Sequence, residues 1–326
     1  MRLNLALLAA AAAAILAACL LGSTQLPPAR MLAALAGGGE PGDAVVVWAI
    51  RLPRALAAFA VGVGLGASGA ALQGLLRNPL AEPGVLGVSA SAALAATFTL
   101  HYGLAGAFAP LLPLSAVAGA LAATALIALV ALRTASAVAL ILVGVGLSSF
   151  AGALTALLMN LAPNPFTLAD MVNWMLGSVA NKSFDDLLLA APFLLPGLAL
   201  LFASRRGLSA LTLGEEAAAG VGLDLKRQRL LVVLGAGLAT GACVAVAGAI
   251  GFVGIVAPHL VRPFVAHDPA RTLLPSALLA GLFLVVADIG VRVLPTEAEL
   301  KLGVVAAIVG APLFAIIAVS ARRVAR

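Results

Sequence analysis

Between Arg54 and Arg77 the chain runs through 22 apolar or small residues without a single charge. A basic, proline-containing turn brackets each end, Arg51-Leu52-Pro53-Arg54 before it and Arg77-Asn78-Pro79 after it. A run of that length spans a hydrocarbon core as one helix. Its glycines fall at Gly62, Gly64, Gly66 and Gly69. Gly62 and Gly66, four apart, form a small-xxx-small face continued by Gly69, where a neighbouring helix can approach closely. A helix with cations at both ends and a glycine seam between them is suited to the interior of a bundle.

The rest of the chain repeats this pattern. Of the 326 residues 63% are hydrophobic and 10% charged, and the mean hydropathy is +1.16. A soluble domain carries roughly 25% charged residues, so these sequences solvate too little of their own surface to fold in water. The net charge of +6 does not indicate nucleic acid, because the cations punctuate apolar runs instead of lining one polar face. The fold expected is an all-α integral membrane protein, one transmembrane domain over 1–326.

Ten apolar segments are expected: Leu3–Leu21, Ala55–Leu76, Val85–Leu100, Leu104–Leu132, Ala135–Leu161, Leu187–Ala203, Leu230–Ala249, a short broken piece Ile250–Val261, Leu273–Val293 and Leu302–Val319. Leu16-Ala17-Ala18-Cys19 resembles a lipoprotein processing site, but the apolar run continues past the cysteine, so a retained first span is expected. Gly22–Trp48 reads as a polar loop with a short helix near Ala29–Leu35. Thr167–Val179 reads as a short amphipathic helix on the outer side. The segment 207–229 is the longest charged stretch. An even number of spans puts both termini on one side, and the cytoplasmic choice places thirteen Lys and Arg inside. Six fall outside: Arg30, Arg51, Arg54, Lys182, Arg292 and Lys301.

Little of this sequence offers catalytic chemistry. No GxxxxGK[ST] phosphate loop is present. Gly64–Gly69 matches GxGxxG, but it lies inside the apolar run with no preceding strand and no acid 20 residues on, so it reads as helix packing. His101, His259 and His267 have no acidic partner at metal-ligand spacing, and Cys19 and Cys243 sit in apolar segments as ordinary thiols. Neither an enzyme site nor a resident metal or cofactor is expected. An ion-coupled secondary transporter needs ionisable groups or broken helices near the midplane. Asp288 is the clearest acid within a span, and at four residues from Arg292 it reads as a structural ion pair. The driving force is therefore expected from a cytoplasmic partner. The docking surface for it is sought in Leu213–Leu223, where Glu215 and Glu216 lead a short alanine helix and Gly220 and Gly222 turn the chain.

At these motifs the chain resembles the FecCD/BtuC-type permeases, membrane halves of bacterial ABC importers for iron–siderophores, cobalamin and haem. The resemblance rests on RLPR (Arg51–Arg54), SGAALQGLLRNPLAEPGVLGVSASAAL (Ser68–Leu94), LGEEAAAGVGLD (Leu213–Asp224), GAIGFVGIVAPHLVR (Gly248–Arg262), VADIGVR (Val286–Arg292) and LKLGVVAAIVGAPLF (Leu300–Phe314). It implies a ten-helix subunit pairing with a second copy as a homodimer in the inner membrane. Two cytoplasmic ATPase subunits would hold the ATP and Mg, and a periplasmic substrate-binding protein would deliver the cargo. It further implies that Arg51, Arg54 and Arg292 dock that binding protein. Gly214, Glu215, Glu216, Ala217, Ala218, Gly220 and Gly222, with His259, Arg262 and the Arg77-Asn78-Pro79 turn, would couple to the ATPase. The translocation path would follow Gly144–Asn160, with Ser148, Ser149, Thr155 and Met159 as its polar or soft members. An iron–siderophore chelate is the leading cargo on this reading, with cobalamin and haem as alternatives.

Overall fold

The computed structural model describes residues 2–22, 27–108, 110–134, 136–294 and 299–324. Among them every regular element is helical. In chain order these are α1 (Arg2–Leu20), α2 (Pro28–Leu35), α3 (Pro41–Ala44), α4 (Leu52–Leu76), α5 (Val88–His101), α6 (Leu111–Arg133), α7 (Ala137–Asn160), α8 (Pro165–Met175) and α9 (Phe184–Ala210). They continue with α10 (Glu215–Gly220), α11 (Leu225–Ala247), α12 (Val253–Val261), α13 (Pro269–Val293) and α14 (Leu302–Val324). Among the described residues seven helices are long and apolar enough to cross a membrane: α1, the continuous helix Pro41–Leu76, α6, α7, α9, α11 and α13. Two shorter apolar helices, α5 and α12, together with α14, apolar over Leu302–Ala315, complete the ten expected segments. Ala135, where one expected segment begins, and Arg326, the last of the thirteen cations expected inside, lie outside the described residues.

The glycine-seamed helix is the centre of the bundle. In α4 and in α11, 78% of the most apolar window is buried, against 22% in α1, α7 and α9. The three outer helices turn their apolar sides outward, as helices in contact with lipid or with another subunit do. The central position follows from the glycines. A Cβ at Gly62 or Gly66 would overlap backbone of α13 at Ala280 or Ser276, and one at Gly69 would overlap Gly254 of α12. Without side chains in the way, three backbones meet along one seam, and van der Waals packing holds them where water provides no hydrophobic drive. From the α13 side, Gly281 accepts the Phe59 ring in the same manner.

Local signals set the helix ends. Ser183 and Asp186 form a reciprocal capping box at the start of α9, and the Asn164, Asp224 and Asp268 side chains accept from backbone N–H groups at the starts of α8, α11 and α13. One boundary differs from expectation. The loop predicted over Gly22–Trp48 is helical in its second half, where α3 runs through a π-helical turn, Val45–Arg51, directly into α4. The extra residue per turn rotates Arg51 inward, which decides its role below.

α12 is a half-helix. α11 ends at Gly248 (φ +69°), and the chain then doubles back through Phe252, itself left-handed at φ +66°. The start of α12 packs on Gly69, seven residues or about 10 Å from the end of α4. It therefore begins inside the bundle and descends to the Arg77 end.

Candidate functional site

The six cations assigned to one side by the sequence gather at one end of the bundle. Arg30 pairs with Asp43 at 2.8 Å and with Glu40 at 2.6 Å, just before the π turn. Ser183, beside Lys182, lies against Ala49 and Pro53 across a shared surface cavity. Arg54, Arg292 and the acid at Glu299, two residues before Lys301, meet around Asp288.

That meeting is a four-member ion cluster. Arg54 Nη2 donates to Asp288 Oδ1 at 2.8 Å and to Glu299, while Arg292 Nε lies 3.1 Å from Asp288 Oδ2. Asp288 is 1% exposed and Arg292 7%. The Asp288–Arg292 pair read from the i,i+4 spacing is present, and Arg54, from 234 residues earlier, completes it. Burying these charges is costly, and close pairing with hydrogen bonds on both sides is what makes it tolerable.

Arg51 and Arg292 also serve a second purpose. Arg51 Nη1 donates to the carbonyls of Cys19 (3.0 Å) and Leu20 (3.1 Å), and Arg292 Nη1 to that of Ala18 (3.0 Å). These are orphan carbonyls at the C-terminus of α1, and the two guanidinium groups close them. The sequence reading treats Arg51, Arg54 and Arg292 alike as outward-facing docking cations. In the structure Arg51 is 4% exposed and capping α1, because the π turn points it inward. Of the three, Arg54 is the one joined to an exposed acid, Glu299, whose side chain is 42% exposed.

At the opposite end, the charged stretch forms a small projecting unit. The six-residue helix α10 is led by Glu215 and Glu216, and Gly214 (φ +98°) and Gly222 (φ +89°) turn the chain on either side. Gly220, read as a turn residue from sequence, is helical. Glu215 Oε2 accepts from Arg229 Nη2 at 2.9 Å, pinning α10 to the first turns of α11, where Arg229 is only 4% exposed. Ala218, included in the coupling surface by sequence, is fully buried against the core. The exposed face consists of Glu216, Ala217, Gly220 and Gly222, flanked by Leu213 and Val221, 66% and 70% exposed. Two apolar side chains held in the open beside a rigid short helix make a surface that a partner can cover. Arg262 sits at this same end, hydrogen-bonded to Gln73 Oε1 at 2.5 Å, with His259 half-buried one turn earlier.

The residues proposed for a path divide. Ser149 is exposed on α7, and Met159 is half-buried. Ser148 donates to the Gly84 carbonyl at 3.1 Å, fixing α7 to the turn before α5. Thr155 is 3% exposed and donates to Ala151 within its own helix, so it faces the bundle and not an opening. At 3.6 residues per turn Thr155 lies about a third of a turn round the helix from Ser149, so periodicity separates the two without saying which of them is buried. A cavity of about 730 Å³ between α5, α6 and α7 is lined by apolar groups such as Phe98, Leu126, Phe150 and Leu158, and by none of these four. The exposed stripe of α7 instead carries Gly146, Ser149 and Gly152, and a Cβ at either glycine would meet nothing within 4 Å.

With this geometry in hand, comparison with known proteins decides the class. The FecCD transport family matches residues 8–320. The chain belongs to the FecCD transport family. It is 41% identical over 271 residues to the vitamin B12 import system permease protein BtuC of Salmonella typhi, covering 82% of each chain. It is 38% identical over 292 residues to YvrB of Bacillus subtilis (strain 168), an uncharacterized ABC transporter permease protein, covering 88% of this chain and 82% of that one. Among solved structures it resembles a transporter described as metal-chelate type, captured facing inward, with TM-score 0.86 and 29% identity over 98% of this chain and 99% of the other. This FecCD protein is thus a multi-pass ABC importer permease, a transporter subunit and not an enzyme. The sequence reading missed what Glu299 does: an acid in a short polar loop carries no periodicity that ties it to Arg54.

Proposed function

We propose that this permease carries a large metal chelate of the iron–siderophore type across the inner membrane, driven by ATP hydrolysis on a partner subunit. The observation that carries the reading is the likeness to a metal-chelate type transporter along 98% of the chain. Both termini lie in the cytoplasm, as the distribution of Lys and Arg favours, so the Arg54–Glu299 end faces the periplasm. A loaded binding protein docks there. Two copies of the chain pair across the uncovered small-residue face of α7, and the path runs between them. Small, uncharged side chains suit a bulky chelate that must slide without being held.

Two ATPase subunits grip α10 from the cytoplasm. When ATP closes them, the Glu215–Arg229 pair passes the movement into α11, which packs along α4, α6 and α9. The path then opens to the other face, and hydrolysis resets it. Closure on the partner supplies the differential binding that shifts the equilibrium. The chain itself needs no nucleotide, metal or other cofactor.

Cobalamin is the second reading, favoured by 41% identity to a vitamin B12 permease. Uptake into proteoliposomes containing the permease, its ATPase and a binding protein separates the two. Radiolabelled ferric hydroxamate accumulating with ATP supports the siderophore reading. Accumulation of labelled cobalamin alone replaces it.

A further inference from the structure

At the Arg77 end, beside the root of α10, a cavity of about 260 Å³ opens among three segments far apart in sequence. Its walls include Gln73 and Arg77 from the end of α4, Thr212 from the turn before α10, Arg262 and His267 from the loop after α12, and Thr272 from α13. No carboxylate lines it. Among the described residues neither Arg77 nor Arg262 forms an ion pair. The nearest acid along the chain, Asp268, is engaged elsewhere: it caps Ala270 N–H at 2.9 Å, lies 3.4 Å from Arg271 and accepts from Ser209.

Two observations mark this as a built pocket and not a chance gathering of cations. Gln73 is 2% exposed, and its amide donates to the carbonyls of Gly254 and Ile255 while its oxygen accepts from Arg262. That amide cannot turn over without losing all three bonds, so it holds one edge of the Arg262 guanidinium and aims the remainder at the cavity. In addition, Arg77 (φ +47°), Ala266 (φ +54°) and His267 (φ +59°) are all left-handed. Non-glycine residues adopt that conformation only at a cost, and such residues gather where geometry serves a ligand. Here two of the three, Arg77 and His267, line the cavity.

We propose that this cavity binds a phosphate group, as a free anion or as the headgroup of an anionic phospholipid. Planar guanidinium groups present forked donors that match phosphate oxygens, and His267 adds a third donor. Occupancy would tie α4, α13 and the turn preceding α10 together at the point where a partner's movement enters. The proposal does not depend on the direction of transport or on the cargo, so failed uptake would leave it standing.

The test is thermal unfolding of the full-length permease in nonionic detergent. Sodium phosphate is titrated against sodium chloride of equal ionic strength, and glycerol phosphate and dioctanoyl phosphatidylglycerol are titrated in parallel. The expected result is a saturable rise in Tm with at least one of these probes. Phosphate acting as well as the lipid identifies a free anion, and the lipid acting alone identifies a headgroup. Arg77→Gln is expected to weaken the apparent affinity at least about 10-fold, because it removes one of two forked cations. Since Arg77 also terminates α4, His267→Gln, at an exposed position, is measured beside it and should weaken binding in the same direction. No saturable rise with any probe overturns the proposal, as does a rise that both substitutions leave unchanged.

Discussion

Arg54 on α4 and Asp288 on α13, 234 positions apart, are joined at 2.8 Å beneath the surface of one end of the bundle. The bond sits at the top of the glycine seam, so the two most closely packed helices are also locked by charge. Asp288 serves Arg292 as well, and Arg292 in turn closes the end of α1. One carboxylate thus organises three helices.

Replacing it with Asn should be severe. Asp288→Asn leaves two guanidinium groups, both almost fully covered, without their shared anion. Breaking a buried pair from one side costs about 3–5 kcal/mol. The expected outcome is a markedly lower Tm for the purified permease in detergent. A Tm unchanged within experimental error would show that the cluster is dispensable.

The glycine seam makes a contrasting pair of predictions. Gly66→Val or Gly69→Val inserts side-chain atoms where backbone of α13 or α12 already sits, and overpacking of this kind costs about 1–3 kcal/mol or more. Gly146→Ala and Gly152→Ala face open space and should leave the Tm of the isolated subunit unchanged. If the proposed pairing across α7 is right, bulkier side chains at those two positions should instead reduce dimer recovery in crosslinking or native mass measurements.

Removing the acid that pins α10 should affect both stability and coupling. Glu215→Gln leaves the covered Arg229 with a neutral partner, at a cost of about 1–3 kcal/mol. ATPase stimulation in the assembled transporter should fall several-fold. Glu216→Gln, on the exposed side of the same turn, should leave Tm unaltered. Equal effects from both substitutions would contradict the assignment of Glu215 as the anchor.

The sequence carried the helices well and the site residues unevenly, for physical reasons. Long apolar runs, proline-bearing basic turns and glycine spacing are local signals, and α1, α4, α6, α7, α9, α11 and α13 all follow them. The resemblance in motif carried the family. What escaped is long-range or depends on side-chain direction. The π turn at Val45–Arg51 shifts one register and converts Arg51 from a surface cation into a cap for α1. Glu299 finds Arg54 only in three dimensions. Thr155 and Ala218 share helices with exposed residues but face the core, a distinction that requires knowing which side each helix buries.

The central claim is that this chain converts closure of an ATPase into transport. The most direct measurement is ATP hydrolysis by the permease reconstituted in proteoliposomes with its ABC ATPase, with and without a loaded binding protein. Glu299→Lys serves as the docking variant, because Glu299 is the exposed member of the cluster and its replacement leaves the Arg54–Asp288 bond in place. The prediction is hydrolysis stimulated by the loaded binding protein, with the stimulation abolished by Glu299→Lys while the permease–ATPase complex still forms. A chain that assembles with no ATPase, or hydrolysis indifferent to the binding protein, would contradict the account.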